Sequence, residues 1–360
     1  MKILITTPNL NITGGVSNYY NIIKKYFTLD IEYFNVGSDL KKENIFLLLK
    51  NRFSDYIIFN KKLKSGIFNL VVINPSLDIK SIIRDGLFAF ITRKRKISFI
   101  VFFRGWDLEY EKIMRKTTLK FIRFTFFKAR AIIVLAKDFE NTFRNWGYKN
   151  NIYKETTVVY DEMLININEK TIEKKYNASD DQFVVLFISR IIKEKGIFEL
   201  AKAFQILYGK SKKIRLIIAG DGKDKKTLDY FIKTNNISNV ILVGNLKGSD
   251  KEKLFCESKL YVLPSYTEGM PNSLLEALAF GLPAVTTDVG GIKDIFVDKK
   301  MGLILKDIKP ETIAEKILEL ADNMGNLKTI AINNYRFAKK NIVASKVTKR
   351  LETIYSENII

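Results

Sequence analysis

Histidine is absent from this chain of 360 residues, and cysteine occurs only once, as Cys256. Histidine is the commonest general base and metal ligand of proteins, so both roles must fall to other residues. A single thiol excludes an internal disulfide framework and a cysteine-rich metal site. Any catalysis by this chain must therefore use carboxylates, cations, backbone groups or the substrate itself.

Long hydrophobic runs are also lacking. A helix needs about 20 mostly apolar residues to cross a bilayer, and the most apolar region, FIRFTFFKARAIIVLA, is interrupted by Arg123, Lys128 and Arg130. The N-terminal segment MKILITTPNL has only a short apolar run, well below that of a signal peptide. We therefore expect a cytoplasmic protein without a membrane-spanning segment.

Positive charge, in contrast, is abundant, with a net charge of +21. Residues 80–130 contain 14 basic and 4 acidic side chains, including RKRK at 93–96. The spacing of five of them predicts a basic face on an amphipathic helix: Lys112, Arg115, Lys116, Lys120 and Arg123. This excess has three interpretations: a solvated surface, a patch in peripheral contact with anionic lipid at the inner face of the cell membrane, or a nucleic-acid footprint. We do not expect nucleic acid as a partner.

Short apolar runs that alternate with helical patterns indicate parallel sheets covered on both faces. KILITTP predicts a strand, followed by the loop NLNITGG and the helix VSNYYNIIKKYF. Further strands are predicted at 70–76, 98–105 and 131–136, and the cycle restarts at 182–189. A chain of this length favours two domains. We predict two doubly wound α/β domains that join near residues 160–175, with ligands at the carboxyl ends of the strands.

The segment EGMPNSLLEALAFGLP, which starts at Glu268, predicts a helix from about Asn272 to Phe280. Pro271 is favoured near a helix start, Asn272 or Ser273 could cap it, and Gly281 ends it. The free N–H groups at such a start suit a diphosphate. Carboxylates accept hydrogen bonds strongly from sugar hydroxyls, so a nucleotide sugar suits a start flanked by two acids.

Four charged residues around this helix have both a functional and an ordinary interpretation. Glu268 can be a plain loop acid and Glu276 a surface residue, although Glu276 lies on an almost wholly apolar helix, where a charge needs a partner. Arg190 and Lys195, which follow the strand 182–189, can neutralise a diphosphate leaving group or be ordinary surface cations.

The C-terminal half resembles the retaining glycosyltransferases of family four, which have the GT-B fold. The resemblance rests on SRIIKEKG, IIAGDG and PSYTEGMPNSLLEALAFGLPAVTTDVGG, which occur in that order within about residues 183–305. Glu268 and Glu276 occupy the two acidic positions of the family's Glu-x7-Glu motif. The resemblance implies Rossmann-like domains that face a central cleft: an acceptor-binding domain at 1–165, a nucleotide-sugar-binding domain at 166–340, and a C-terminal helix at 341–360 that returns to the first domain.

The resemblance also implies roles for individual residues of this half. The residues it assigns to catalysis are Glu268, Arg190 and Lys195. Those it assigns to donor binding are Asn245, Leu246, Gly269, Met270, Pro271, Asn272, Ser273, Leu274 and Glu276. The arginine and lysine would hold the diphosphate, and Glu276 would accept hydrogen bonds from the ribose hydroxyls.

The N-terminal half is less similar to the family. In TGGVSNYY, Gly14 and Gly15 resemble the family's Gly-Gly loop and would allow close approach of the backbone to donor phosphates or to the acceptor. In VFFRGWD, Arg104 stands where many members have a histidine, and we assign it to donor binding. An arginine stays protonated and cannot be a base. It could bind the leaving phosphate, the donor sugar or an acidic acceptor, and Asp107 could orient it or an acceptor hydroxyl. Alternatively, Arg104 and Asp107 could form a plain structural contact.

The resemblance implies a retaining hexosyltransferase that moves a sugar from a UDP- or GDP-sugar to a glycan or lipid-linked acceptor in cell-surface polysaccharide biosynthesis. Attack on the face that the phosphate leaves needs no protein base, so a histidine-free enzyme is chemically reasonable. No Asp-x-Asp pair is present, and we expect action without a metal or another cofactor. The alternatives are a nucleotide-sugar epimerase or phosphorylase of the same fold, and a nucleotide-sugar-binding protein without catalysis.

Overall fold

The computed structural model describes residues 1–12, 14–37, 45–178, 182–211 and 213–359, with the backbone alone for 45–52. The chain divides into two compact units. The first unit comprises Met1–Val158 and Ala344–Ile360, and the second comprises Val159–Val343. The last helix of the chain thus belongs to the first unit.

The first unit is built on a sheet of six parallel strands in the order β2-β1-β3-β5-β7-β8. These strands are β1 Lys2–Thr7, β2 Asp30–Asn35, β3 Leu70–Ile73, β5 Ser98–Phe102, β7 Ala131–Val134 and β8 Asn151–Lys154. Two short strands, β4 Ser76–Leu77 and β6 Gly105–Trp106, pair with each other in a separate two-stranded sheet. The strand order reverses between β1 and β3, the position at which doubly wound sheets bind ligands.

The helices of the first unit are α1 Gly15–Ile23, α2 Ile45–Lys64, α3 Ile79–Lys94, α4 Leu108–Ile113, α5 Lys116–Phe124, α6 Lys137–Asn145 and α15 Ala344–Glu357. Helix α15 is fixed to this unit by polar contacts. Glu352 accepts hydrogen bonds from the Thr28 hydroxyl at 2.9 Å and the Leu29 N–H at 3.0 Å. Arg350 donates to both carboxylate oxygens of Glu155 at 2.8 Å, a bidentate pair that orients the helix.

The second unit has a parallel sheet in the order β11-β10-β9-β12-β13-β14. Its strands are β9 Phe183–Ile188, β10 Ile214–Ala219, β11 Val240–Gly244, β12 Leu260–Leu263, β13 Ala284–Thr287 and β14 Gly302–Leu305. Its helices are α7 Glu169–Asn177, α8 Ile197–Lys210, α9 Lys225–Thr234, α10 Gly248–Glu257, α11 Asn272–Ala279, α12 Ile292–Ile295, α13 Pro310–Ala321 and α14 Met324–Asn341. The strand order reverses between β9 and β12, so the loops that follow these two strands lie side by side.

The predicted doubly wound α/β architecture is confirmed in both units. One local prediction was wrong: the five spaced cations do not share one helix. Lys112 lies on α4, whereas Lys116 opens α5, and the extended backbone of Met114 and Arg115 separates the two helices. In the described ranges, no helix is long and apolar enough to cross a membrane. Thr13, within the predicted glycine loop, lies outside the described residues.

Candidate active site

Helix α11 begins at Asn272, directly after the loop that follows β12. The buried Pro271 occupies the N-cap position, and no side chain caps the helix. The expectation that Asn272 or Ser273 would act as the cap was therefore wrong. Instead, the Ser273 hydroxyl lies 2.7 Å from the hydroxyl of Tyr261 on β12. Within the described chain, the N–H groups of Asn272, Ser273 and Leu274 find no acceptor, which leaves them available to an anion.

Glu268, in the same loop, forms an ion pair with Lys195 from the loop after β9. The Lys195 Nζ lies 2.5 Å from Glu268 Oε1, and the Ser265 hydroxyl donates to the same oxygen at 2.7 Å. The lysine side chain is 10% exposed and the glutamate side chain 7% exposed. Water therefore screens these two charges only weakly. The pair lies where the strand order of the second sheet reverses, between β9 and β12.

Gly196 makes this close approach of the two loops possible. It has a φ of +65°, and a Cβ at this position would lie 2.0 Å from the carbonyl oxygen of Pro264. Only glycine fits both the left-handed backbone and the contact. The short helical turn Lys193–Lys195, which precedes Gly196, thereby carries Lys195 to Glu268.

Glu276, on the second turn of α11, pairs with Lys251 on α10. The Lys251 Nζ donates to Oε1 at 2.7 Å and lies 2.6 Å from Oε2, to which it is poorly aligned. Burial raises the pKa of the Glu276 carboxyl, and the Lys251 ammonium opposes that rise. The partner that a charge on this apolar helix requires is therefore Lys251, and Oε2 remains able to accept a further hydrogen bond.

A cavity of about 220 Å³ lies at the carboxyl edge of the second sheet. The residues that line it are Ile188, Ser189, Arg190, Ala219, Gly220, Asp221, Asn245, Leu246 and Lys251. Three of these residues were predicted from the sequence, namely Arg190, Asn245 and Leu246. Lys251 both lines the cavity and holds Glu276, so it connects the cavity to α11. Arg190 is exposed, which leaves its guanidinium accessible to a ligand.

The remaining predicted residues of the second unit contribute in different ways. Met270, Pro271 and Leu274 have buried side chains, so only their backbone can contact a ligand. The carbonyl oxygen of Gly269 accepts a hydrogen bond from the Gly291 N–H at 2.6 Å, which fixes the loop before α11. Sequence reasoning missed Lys251 because α10 carries two lysines, Lys251 and Lys253, and the sequence does not single one out.

Gly14, Gly15 and Arg104 belong to the first unit. Gly14 is the N-cap of α1, Gly15 is its first residue, and no side chain caps this helix. The Arg104 guanidinium carbon lies 3.6 Å from the centre of the Tyr19 ring. The described structure shows no contact between Asp107 and Arg104, so that hypothesis was wrong. The Asp107 carboxylate instead caps α4 by accepting a hydrogen bond from the Tyr110 N–H at 2.9 Å.

Comparison with known proteins gives a match over the segment that contains this site. Residues 168–337 match the family model described as glycosyl transferases group 1. This segment contains Lys195, Lys251, Glu268 and Glu276, and with them the cavity and both ion pairs.

Two curated relatives and one solved structure extend the comparison to a larger part of the chain. The capsular polysaccharide biosynthesis glycosyltransferase CapM of Staphylococcus aureus is 29% identical over 62% of this chain and 57% of the relative. The putative teichuronic acid biosynthesis glycosyltransferase TuaC of Bacillus subtilis is 31% identical over 52% of this chain and 46% of the relative. The chain thus spans about half the length of these relatives.

The solved structure is Anabaena Alr3699/HepE in complex with UDP and glucose. It superposes with a TM-score of 0.71 at 16% identity and covers 99% of each chain. At this identity the similarity establishes the fold alone, and it confirms the predicted GT-B fold for the whole chain.

Proposed function

We propose that this chain is a retaining glycosyltransferase that moves a sugar from a UDP- or GDP-sugar to a glycan or lipid-linked acceptor of the cell surface. The observation that carries the proposal is the surroundings of the α11 start. Two carboxylates, Glu268 and Glu276, each pair with a lysine around an uncapped helix start, and a cavity lies beside Lys251. The capsular and teichuronic acid relatives support a cell-surface glycan as the product.

In the proposed reaction, the bond from the anomeric carbon to the diphosphate oxygen breaks, and a bond to the acceptor oxygen forms on the same face. The acceptor proton passes to the departing diphosphate oxygen, so no protein base is required. Lys195, Arg190 and the free N–H groups of α11 stabilise the negative charge of the leaving group. Glu276 accepts hydrogen bonds from the ribose hydroxyls through Oε2, and Glu268 accepts from a hydroxyl of the donor sugar.

A thermal-shift screen of nucleotide sugars, followed by a turnover assay, tests this proposal. A donor at 100 times its dissociation constant should add about 2.7 kcal/mol to the free energy of unfolding. Arg190→Ala should reduce that gain, because Arg190 lines the cavity, while the nearby exposed Lys193→Ala should not. Binding of a donor with no turnover against a broad set of acceptors would leave only a binding protein. No stabilisation by any nucleotide sugar would refute the proposal.

We also propose that residues 80–130 contact anionic lipid, which would bring the enzyme to a lipid-linked acceptor. Ile113 is 74% exposed and Phe124 52% exposed on α4 and α5, among exposed cations that include Lys116 and Lys120. Exposed apolar and basic side chains together suit the interface of an anionic bilayer.

Replacing Lys116, Lys120 and Lys128 together by glutamine should weaken binding to vesicles that contain phosphatidylserine. With about 1 kcal/mol for each cation near such a surface, the expected loss is about 100-fold. A vesicle flotation assay at low salt measures it, with Lys210→Gln, Lys226→Gln and Lys339→Gln in the second unit as the matched triple control. Equal flotation with neutral and anionic vesicles would remove the membrane from the proposal.

A further inference from the structure

Arg104 lies at the carboxyl edge of the first sheet, two residues after the end of β5 and next to Pro75, which follows β3. The guanidinium carbon is 3.6 Å from the centre of the Tyr19 ring and 4.2 Å from that of Phe102. The Arg104 N–H donates to the carbonyl oxygen of Pro75 at 2.8 Å, which fixes the backbone. The aromatic contacts and this hydrogen bond hold the cation in a defined position next to the reversal of strand order.

Several donors around Arg104 have no acceptor in the described ranges. The Nε and Nη1 groups of Arg104 are buried and make no hydrogen bond there. The hydroxyl of Tyr19, a residue that is 3% exposed, also has no acceptor there, since the group beside it is the Arg104 guanidinium, which can only donate. The Arg104 charge counters the burial that raises the pKa of Tyr19, so the guanidinium and this phenol lie close together. Buried donors of native proteins normally find an acceptor, so each of these groups needs an explanation.

The acids that the structure places near this cluster are already engaged. Glu155, whose charge also acts on Tyr19, accepts hydrogen bonds from Arg350 on both of its carboxylate oxygens. Asp107 caps α4, and across the described residues Arg104 has no ion pair. Cation–π contacts offset only part of the cost of a partly buried cation that lacks a counter-ion. The described residues therefore supply no counter-anion for this cluster.

We propose that Arg104 and Tyr19 form an oxyanion-binding site in the first unit, which accepts a carboxylate or phosphate group. The guanidinium presents parallel N–H donors that match the two oxygens of such a group, and the Tyr19 hydroxyl adds a further donor. Arg104 is only partly buried, so a ligand can reach it from solvent. The assignment of this oxyanion to the sugar acceptor, as a uronate or a lipid phosphate, rests on the proposed function. The existence of the binding site does not depend on that function.

The test follows the Nε–H resonance of Arg104 in the full chain by NMR, assigned through its loss in Arg104→Lys. Glucuronate and glycerol 3-phosphate are the oxyanion probes, with glucose and glycerol as their neutral counterparts. We expect a saturating shift with at least one oxyanion, at a dissociation constant of about 1 mM, and none with the neutral compounds. A response to glucuronate alone identifies a carboxylate site, and a response to glycerol 3-phosphate alone identifies a phosphate site.

Thermal unfolding with the same probes supplies a second readout. The oxyanion that shifts the resonance should stabilise the wild type and the Arg190→Gln variant equally, but not Arg104→Met. UDP should stabilise the wild type more than Arg190→Gln, so failure of the nucleotide site and failure of this site are distinguishable. If neither oxyanion moves the resonance up to roughly 20 mM, and both stabilise Arg104→Met as much as the wild type, the inference is wrong.

Discussion

Replacing Lys195 by methionine is expected to lower sugar transfer by about 100- to 1,000-fold, the usual effect of removing one group that stabilises a developing negative charge. The reason is its position: Lys195 Nζ lies 2.5 Å from Glu268 Oε1 at the switch point of the second sheet, where the proposed diphosphate departs. Lys193→Met is the matched control, because Lys193 is an exposed lysine on the same short helical turn. Steady-state transfer with the donor found in the thermal-shift screen measures the effect.

A structural role of Lys195 makes a different prediction and can be separated from the catalytic one. Removing one partner of a buried pair leaves an uncompensated charge, so Lys195→Met should lower the free energy of unfolding by about 3 kcal/mol. The double variant Lys195→Met with Glu268→Gln removes both charges and should recover most of that stability. It should remain as inactive as the single variant. Recovery of transfer along with stability would assign Lys195 to folding alone.

The sequence predicted α11 well because its limits depend on local chemistry. The predicted range, Asn272 to Phe280, differs from the observed Asn272–Ala279 by one residue. Pro271 fixes the start, and Gly281, at a φ of +67°, ends the helix in a left-handed conformation that other residues adopt rarely. The strands were predicted for a similar reason, since each buried parallel strand is a short apolar run between polar loops.

The ion pairs could not be predicted, because they join distant parts of the chain. Sequence reasoning indicated that Glu276 needs a partner, but the identity of Lys251 depends on how α10 packs beside α11. It placed Lys195 on the diphosphate, whereas the described structure pairs it with Glu268. The break between α4 and α5 was missed because the spacing of cations reports which residues share a face and carries no information on backbone breaks such as that at Met114.

Replacing Lys251 by methionine is expected to make donor binding depend on pH. Burial already raises the pKa of the Glu276 carboxyl, and Lys251 is the cation that opposes the rise. Without Lys251, the pKa of the Glu276 carboxyl should rise further, so the carboxyl should stay neutral up to a higher pH. A neutral carboxyl accepts hydrogen bonds from ribose less strongly, so affinity for the donor should fall as pH falls. We expect a loss of about 10- to 100-fold at pH 6 and a smaller loss at pH 9.

Calorimetric titration of the donor from pH 6 to 9 measures this profile, with Lys253→Met as the control for an exposed lysine of the same helix. Stability should respond in the opposite direction. A carboxyl whose pKa is higher in the folded than in the unfolded state makes the free energy of unfolding fall as pH rises between the two values, and the Lys251 variant should extend that window upward. Adding Glu276→Gln should abolish this pH dependence while donor affinity stays low. If the affinity of Lys251→Met for the donor depends on pH as that of the wild type does, the prediction is wrong. Lys251 would then not be what keeps Glu276 ionised for donor binding.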